Sequence, residues 1–317
     1  MAAQSVTDAI AAATVIESAK LSAGYTWPEI PRWREGVFYF SDMYNHKILS
    51  VDEAGASHVL IDASDRVSLN PTPGGEDGAV EVVLGGLGWL PNGDLIVTSM
   101  HERVVLIWNG KTLDLYSDLR DIAIGPINDM VVDADGRAYV TQLGYDIFAG
   151  AEARESHLIV VEPDRSARAL SEVGTFAGAN GIAVTADGTR VITAENTANR
   201  ICVLDRAGDG SLSNPRVFAD TPFLPDGICL DDEGGVWVGM PGSGFVVRVI
   251  EGGEVTHAVP IPFEEGFGTA CVLGGEDRTT LYIAAGLEVF DWPKSRAEGL
   301  GSIWTAEVGV HGGQNRP

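Results

Sequence analysis

One pattern recurs along the chain, and it constrains the fold more than any other feature. An apolar run meets a tight turn, a second apolar run follows, and a third comes after a polar gap. It appears as "VFYFSDMYNHKILSVDEAG" from Val37, "LGWLPNGDLIVTSMHERVVLIWNGK" from Leu87, and "INDMVVDADGRAYVTQLGYD" from Ile127, which resumes at "HLIVVEPD". It returns as "GIAVTADGTRVITAENTANRICVLDRAG" from Gly181 and "GICLDDEGGVWVGMPGSGFVVRVIEGGE" from Gly227, and last as "TACVLGGEDRTTLYIAAG" from Thr269, closed by "GSIWTAEV". Asn92-Gly93, Asp135-Gly136, Asp187-Gly188 and Glu233-Gly234 are hairpin signals, because glycine tolerates positive φ. Runs such as "DLIVT", "RAYVT", "RVITA" and "GVWVG" are rich in β-branched and aromatic residues. A period of about 40–50 residues with several strands per unit is that of a propeller blade. The chain is therefore expected to be all-β, a six-bladed β-propeller of four-stranded antiparallel blades.

A strand in "ATVIESAKLSAG" is expected to pair with the last blade around "GSIWTAEVGV", so that N- and C-terminal strands close the ring and remove its exposed edge. No linker or composition shift divides the chain, so residues 1–317 read as a single propeller domain with 1–13 as a flexible N-terminal extension. The acidic, Pro- and Gly-rich insert "SLNPTPGGEDGAVE", 68–81, reads as a long surface loop or a lid.

Composition narrows the partners. Forty-five acidic residues against 21 basic give a net charge of −24, which repels nucleic-acid backbones and anionic lipid and attracts cations. Neither nucleic acid nor a membrane is expected as a partner. Monomer and dimer stay equally open. Cys202, Cys229 and Cys271 sit in apolar runs without a Cys-x-x-Cys pair, as buried free thiols of a reducing compartment do. The N-terminus lacks a basic region, and Asp8 and Glu17 interrupt its apolar part, unlike a signal peptide. The expected location is the cytoplasm.

The innermost strand of a propeller blade runs along the central channel, so residues at the start of each inner strand meet at one mouth. There stand Glu29 in "WPEIPRW", Asn128 and Asp129 in "GPINDMVV", Asn180 in "AGANGIAV" and Asp226 in "LPDGICL". Each alone also fits a turn or a solvated loop. Their common register sets them apart, since the within-blade turns are present separately. Carboxylates and carboxamides form an all-oxygen set that suits hard cations such as Ca²⁺, Mg²⁺ or Mn²⁺. The six histidines are scattered without ligand spacing, so an imidazole zinc site is not signalled; His101 in "SMHERVV" is a channel-facing candidate.

The stretches "PEIPRW…GVFYFSDM…ILSVD", "LGWLPNGDLIVTSM", "GPINDMVVDADGRAYV", "ANGIAVTADG" and "PDGICLDDEGGVWVG" resemble the SMP-30/gluconolactonase/LRE family of six-bladed propellers, from about Tyr25 to Val310. The resemblance implies one divalent cation held by Glu29, Asn180 and Asp226, with Ca²⁺ first and Zn²⁺, Mg²⁺ or Mn²⁺ as alternatives, and Asn128 close to metal and substrate. It also implies a lactone or ester as substrate. Two departures stand out. Ile30 replaces the glycine of the family's Glu-Gly-Pro-x-Trp, and Pro126 and Met130 replace the arginine and final glycine of Arg-x-Asn-Asp-Gly. With Trp89, Met100 and Tyr145 as further substrate contacts, beside Phe148, these changes point to a pocket more apolar than one for sugar acids.

The expected reaction is opening of a lactone, sugar-type or more apolar, by a cation that polarises the carbonyl and activates water. Asp226 would take the proton, and Asn128 would donate a hydrogen bond to the ring or carbonyl oxygen. Aryl-ester or phosphotriester hydrolysis, a strictosidine-synthase-like condensation, and a non-catalytic calcium-binding role remain alternatives.

Overall fold

The computed structural model describes residues 6–68 and 81–313. Each recurring unit folds into a four-stranded antiparallel sheet, and the six sheets are the blades of a propeller. The innermost strands, from blade one to blade six, are Pro28–Arg34, Leu84–Trp89, Ile127–Val132, Ala179–Val184, Ile228–Leu230 and Phe267–Gly274. The second strands return antiparallel to them as Val37–Asp42, Leu95–Ser99, Ala138–Gln142, Arg190–Glu195, Val236–Met240 and Thr280–Gly286. The turns joining them carry the glycines read as hairpin signals: Gly93, Gly136, Gly188 and Gly234 have φ of 90°, 88°, 69° and 81°. The insert 68–81 lies almost wholly outside the described residues.

The ring closes as expected. Ala19–Tyr25 forms the outermost strand of blade six, antiparallel to Gly301–Glu307, with Lys20 opposite Trp304. The chain before it adds a feature the pattern did not signal. Thr14–Val15 pairs in parallel with His257–Ala258 at the outer edge of blade five. Ahead of it, Val6–Ile10 forms a short helix, and Ala9, Ile10 and Ala13 pack on the core between blades four and five.

The core lies between the blades. Between blades four and five, Ala183, Ile192 and Ile201 meet Ile228, Val236 and Val247; five further clusters fill the other interfaces. Inner strands are covered on both faces, so "INDMVV" is buried throughout. The apolar runs are continuous for that reason, without the alternation of a half-exposed strand. All three cysteines are buried and free, with the sulfurs of Cys229 and Cys271 3.9 Å apart. Burial pushes the Cys202 thiol up to about 11. Among the described residues no helix is long and apolar enough to cross a membrane.

Candidate metal centre

The polar residues at the channel mouth stand at the starts of the inner strands, three inside the strand and one ahead of it. Glu29, Asn128 and Asn180 each lie inside the strand, one residue past its start. Pairing slips beside each of them: between Glu29 and Arg32, between Ile127 and Met130, and between Ala179 and Ile182. Blades two and six slip at the same level, between Leu84 and Leu87 and between Gly268 and Ala270. A bulge breaks the strict alternation of faces and re-aims a side chain. Bulges repeated at one level turn oxygen-bearing side chains toward the channel. Asp226 stands just before its strand, yet its N–H donates to the Gly239 carbonyl at 2.9 Å, which anchors it to blade five.

The glycines after Asn180 and Asp226 have a different task from the hairpin glycines. Neither Gly181 nor Gly227 has a positive φ. A Cβ on Gly181 would lie 2.6 Å from the Ile228 nitrogen and 2.7 Å from the Asp226 oxygen, and one on Gly227 would lie 2.3 Å from the Ala270 Cβ. Adjacent inner strands therefore touch backbone to backbone. The Gly181 N–H donates to the Asp226 carbonyl, which ties Asn180 and Asp226 together across two blades.

Glu29, Asn128, Asn180 and Asp226 all line one cavity of about 330 Å³ at this mouth. Glu29 and Asn128, each 6% exposed, mark its floor, whereas Phe290 at 66% and Ile147 at 38% mark its rim. Of the other residues expected there, Met100 and Tyr145 line it. His101 does not. It stands one residue behind Met100, its ring 5.5 Å from Phe148 and 5.6 Å from Trp292, and its Nε2 has no hydrogen-bond partner among the described residues. Burial lowers its basicity. Trp89 is not in the cavity either. It ends the inner strand whose start reaches the mouth, so it lies at the far end, 5.2 Å from Tyr39 and under the Arg34 guanidinium.

The lining that sequence reasoning missed comes largely from the segments after the second strands. Met43, Leu143, Asn196, Pro241 and Phe290 follow Asp42, Gln142, Glu195, Met240 and Gly286 at short distances. Second strands run back to the mouth, so the signal was present: whatever follows each one faces the site.

The electrostatics are unusual for a protein interior. Burial pushes Glu29 up to about 7, opposed by hydrogen bonds from Thr269 and from the Ile30 N–H at 3.0 Å, and Asp129 raises it further. Burial also raises Asp226 well above the ordinary range, helped by the charges of Glu29 and Asp129 and opposed by a hydrogen bond from Asn180. Asp129 is itself raised by burial, against the pull of Arg32. That guanidinium also donates to the carbonyls of Pro31, Leu87 and Met130. Ionised, these three carboxylates against one guanidinium leave an excess of two negative charges, the complement of one divalent cation. Unpaired charge in a low-dielectric interior is costly. Among the described residues no three His, Cys, Asp or Glu side chains form a metal-binding group. The donor set here is instead two carboxylates with neighbouring carboxamides, oxygen throughout, which fits a hard cation.

The comparisons agree with this architecture. The chain is 23% identical to regucalcin of Xenopus laevis over 307 residues, covering 94% of each protein. A calcium-binding regucalcin from Agrobacterium tumefaciens superposes with a TM-score of 0.71 at 19% identity, covering 95% of this chain and 97% of that one. A gluconolactonase from Xanthomonas campestris gives 0.69 at 20% identity, covering 92% and 89%. The family described as the SMP-30/Gluconolactonase/LRE-like region matches residues 27–286, most of the propeller, and the chain belongs to that family.

Proposed function

We propose that this protein is a divalent-cation-dependent hydrolase that opens a cyclic ester, with Glu29, Asn180 and Asp226 holding the cation. The observation that carries the reading is the convergence of two carboxyl groups, Glu29 and Asp226, with the carboxamides of Asn128 and Asn180 at the floor of a substrate-sized cavity. A bound cation of this kind supplies Lewis acidity, which polarises an ester carbonyl and lowers the pKa of water. The chain's own groups do the rest. Asp226 accepts a proton from the attacking water, and a hydrogen bond from Asn180 holds its carboxyl group in place. The Asn128 carboxamide donates a hydrogen bond to an ester oxygen; its backbone is fixed by the Thr98 hydroxyl, which donates to the Asn128 carbonyl at 2.7 Å. The C–O bond of the ring breaks, the ring oxygen takes a proton, and a hydroxy acid leaves.

Asp226→Ala, or treatment with EDTA, is expected to abolish hydrolysis in protein that stays folded by circular dichroism. Full activity in chelated protein would overturn the reading. A non-catalytic calcium-binding role is the second reading, favoured by the description of the Agrobacterium relative as a calcium-binding protein. It leaves the cavity above the oxygen cluster without a purpose.

A further inference from the structure

The cavity wall carries information that the floor does not. Above the four oxygen-bearing side chains, five of the six blades contribute apolar groups from the segments after their second strands, among them Met43, Met100, Phe148, Pro241 and Phe290. Phe148 packs edge-on against Trp292, 5.5 Å away, and Phe290 stands 6.4 Å from Phe148, so one side of the mouth is an aromatic surface. No Lys, Arg, His, Ser or Thr is among the described residues that line the cavity. Polar side-chain atoms on the wall are confined to Trp27, Tyr145 and Asn196 among the described residues, and the Asn196 amide already donates to the Pro225 carbonyl at 3.0 Å.

A sugar lactone carries a hydroxyl on nearly every ring carbon. Its ester group would face Asn128 and the cation-holding set, and the remaining hydroxyls would meet side chains of methionine, leucine, proline and phenylalanine. Each buried hydroxyl left without a partner weakens binding roughly tenfold to a hundredfold. An alkyl or aryl substituent meets the same wall favourably, at about tenfold or more per buried methylene.

We infer that the substrate is an ester ring with an apolar body, an alkyl- or aryl-substituted lactone, and not a polyhydroxylated sugar lactone. The inference rests on the hydrolytic reading for the reaction but on the wall alone for the class of ligand, so the two can fail separately. Proton release by the full-length, Ca²⁺-loaded protein compares δ-decalactone and dihydrocoumarin with D-glucono-1,5-lactone. The apolar substrates are expected to exceed the sugar lactone in kcat/KM by at least about a hundredfold. Phe148→Ala, at a half-buried rim position whose loss the fold tolerates, is expected to lower kcat/KM for δ-decalactone about tenfold, chiefly through KM.

Binding of non-hydrolysable lactams, followed by tryptophan fluorescence, separates the two claims. Alkyl δ-lactam binding at least about tenfold tighter than gluconolactam supports the apolar class whether or not any ester is opened. Tighter or equal binding of gluconolactam, or no binding of either lactam, overturns it. Faster turnover of the sugar lactone overturns it while leaving the hydrolytic reading intact.

Discussion

At the residue scale, Ile30 and the buried carboxylates show what the site demands of its surroundings. Ile30 has a φ of 53°, a left-handed backbone in a buried, β-branched residue, at the position where the resembled pattern has glycine. Such a conformation costs about 1–2 kcal/mol in a non-glycine residue. It is held because its N–H bonds the Glu29 carboxylate and its side chain packs with Trp27, Met43, Tyr44 and Met100. Ile30→Gly is expected to be more stable than Ile30→Ala by about 1 kcal/mol in urea unfolding, the reverse of the usual order within a strand. Asp226→Asn removes a repelled charge. It is expected to raise the Tm of chelated protein by about 2–4 °C while abolishing cation binding. A residue with only a structural role would not couple a gain in stability to a loss of binding.

The sign of the pH dependence follows from the same charges. With Glu29 raised from 4.5 to about 7, the folded chelated protein holds a proton that the unfolded chain has released. Stability therefore falls as pH rises through that window. Thermal melts in EDTA are expected to show a lower Tm at pH 8 than at pH 5, and added Ca²⁺ to raise the Tm more at pH 8. Equal Tm values at the two pH values would contradict this assignment. That Glu29, Asn128, Asn180 and Asp226 line one cavity was legible because shared register made them neighbours. The misplacement of Trp89 has a plain cause: apolar character in "LGWLP" says nothing about which end of a strand reaches the mouth.

At the scale of elements, two classes of glycine do different work. Hairpin glycines such as Gly93 supply a positive φ in open space. Gly181 and Gly227 make room for the neighbouring backbone. Gly93→Ala is expected to cost about 1 kcal/mol and leave cation affinity unchanged. Gly181→Ala must push blade four off the Asp226 backbone. It is expected to cost about 2–4 kcal/mol and weaken cation binding tenfold or more, as read by urea titration and calorimetry. Asn-Gly and Asp-Gly look identical in both settings, so the sequence shows the dipeptides but not which glycine is steric. Bulges were illegible for a related reason: a single extra residue in an apolar run leaves no mark in its pattern.

At the scale of the whole molecule, the ring depends on its closure. Ala19–Tyr25 covers what would otherwise be the free edge at Gly301–Glu307. Removing residues 1–25 is expected to lower the Tm by roughly 10 °C and cause aggregation, whereas removing 1–17, which spares that strand, is expected to have a smaller effect. Size-exclusion chromatography and melting curves distinguish the two outcomes. The repeat made both blade count and closure readable, since six units of one length admit few arrangements and a strand ahead of the first needs a partner. The short pairing of Thr14–Val15 with blade five was beyond reach, because two residues carry no periodicity.

The central claim is that residues from three blades hold one divalent ion at the channel mouth. Its most direct test is equilibrium dialysis against Ca²⁺ with elemental analysis of the wild type, Glu29→Gln and Asp226→Asn. One tightly held ion per chain in the wild type and none in either variant is the predicted result; no bound ion in the wild type, or undiminished binding in the variants, would contradict it.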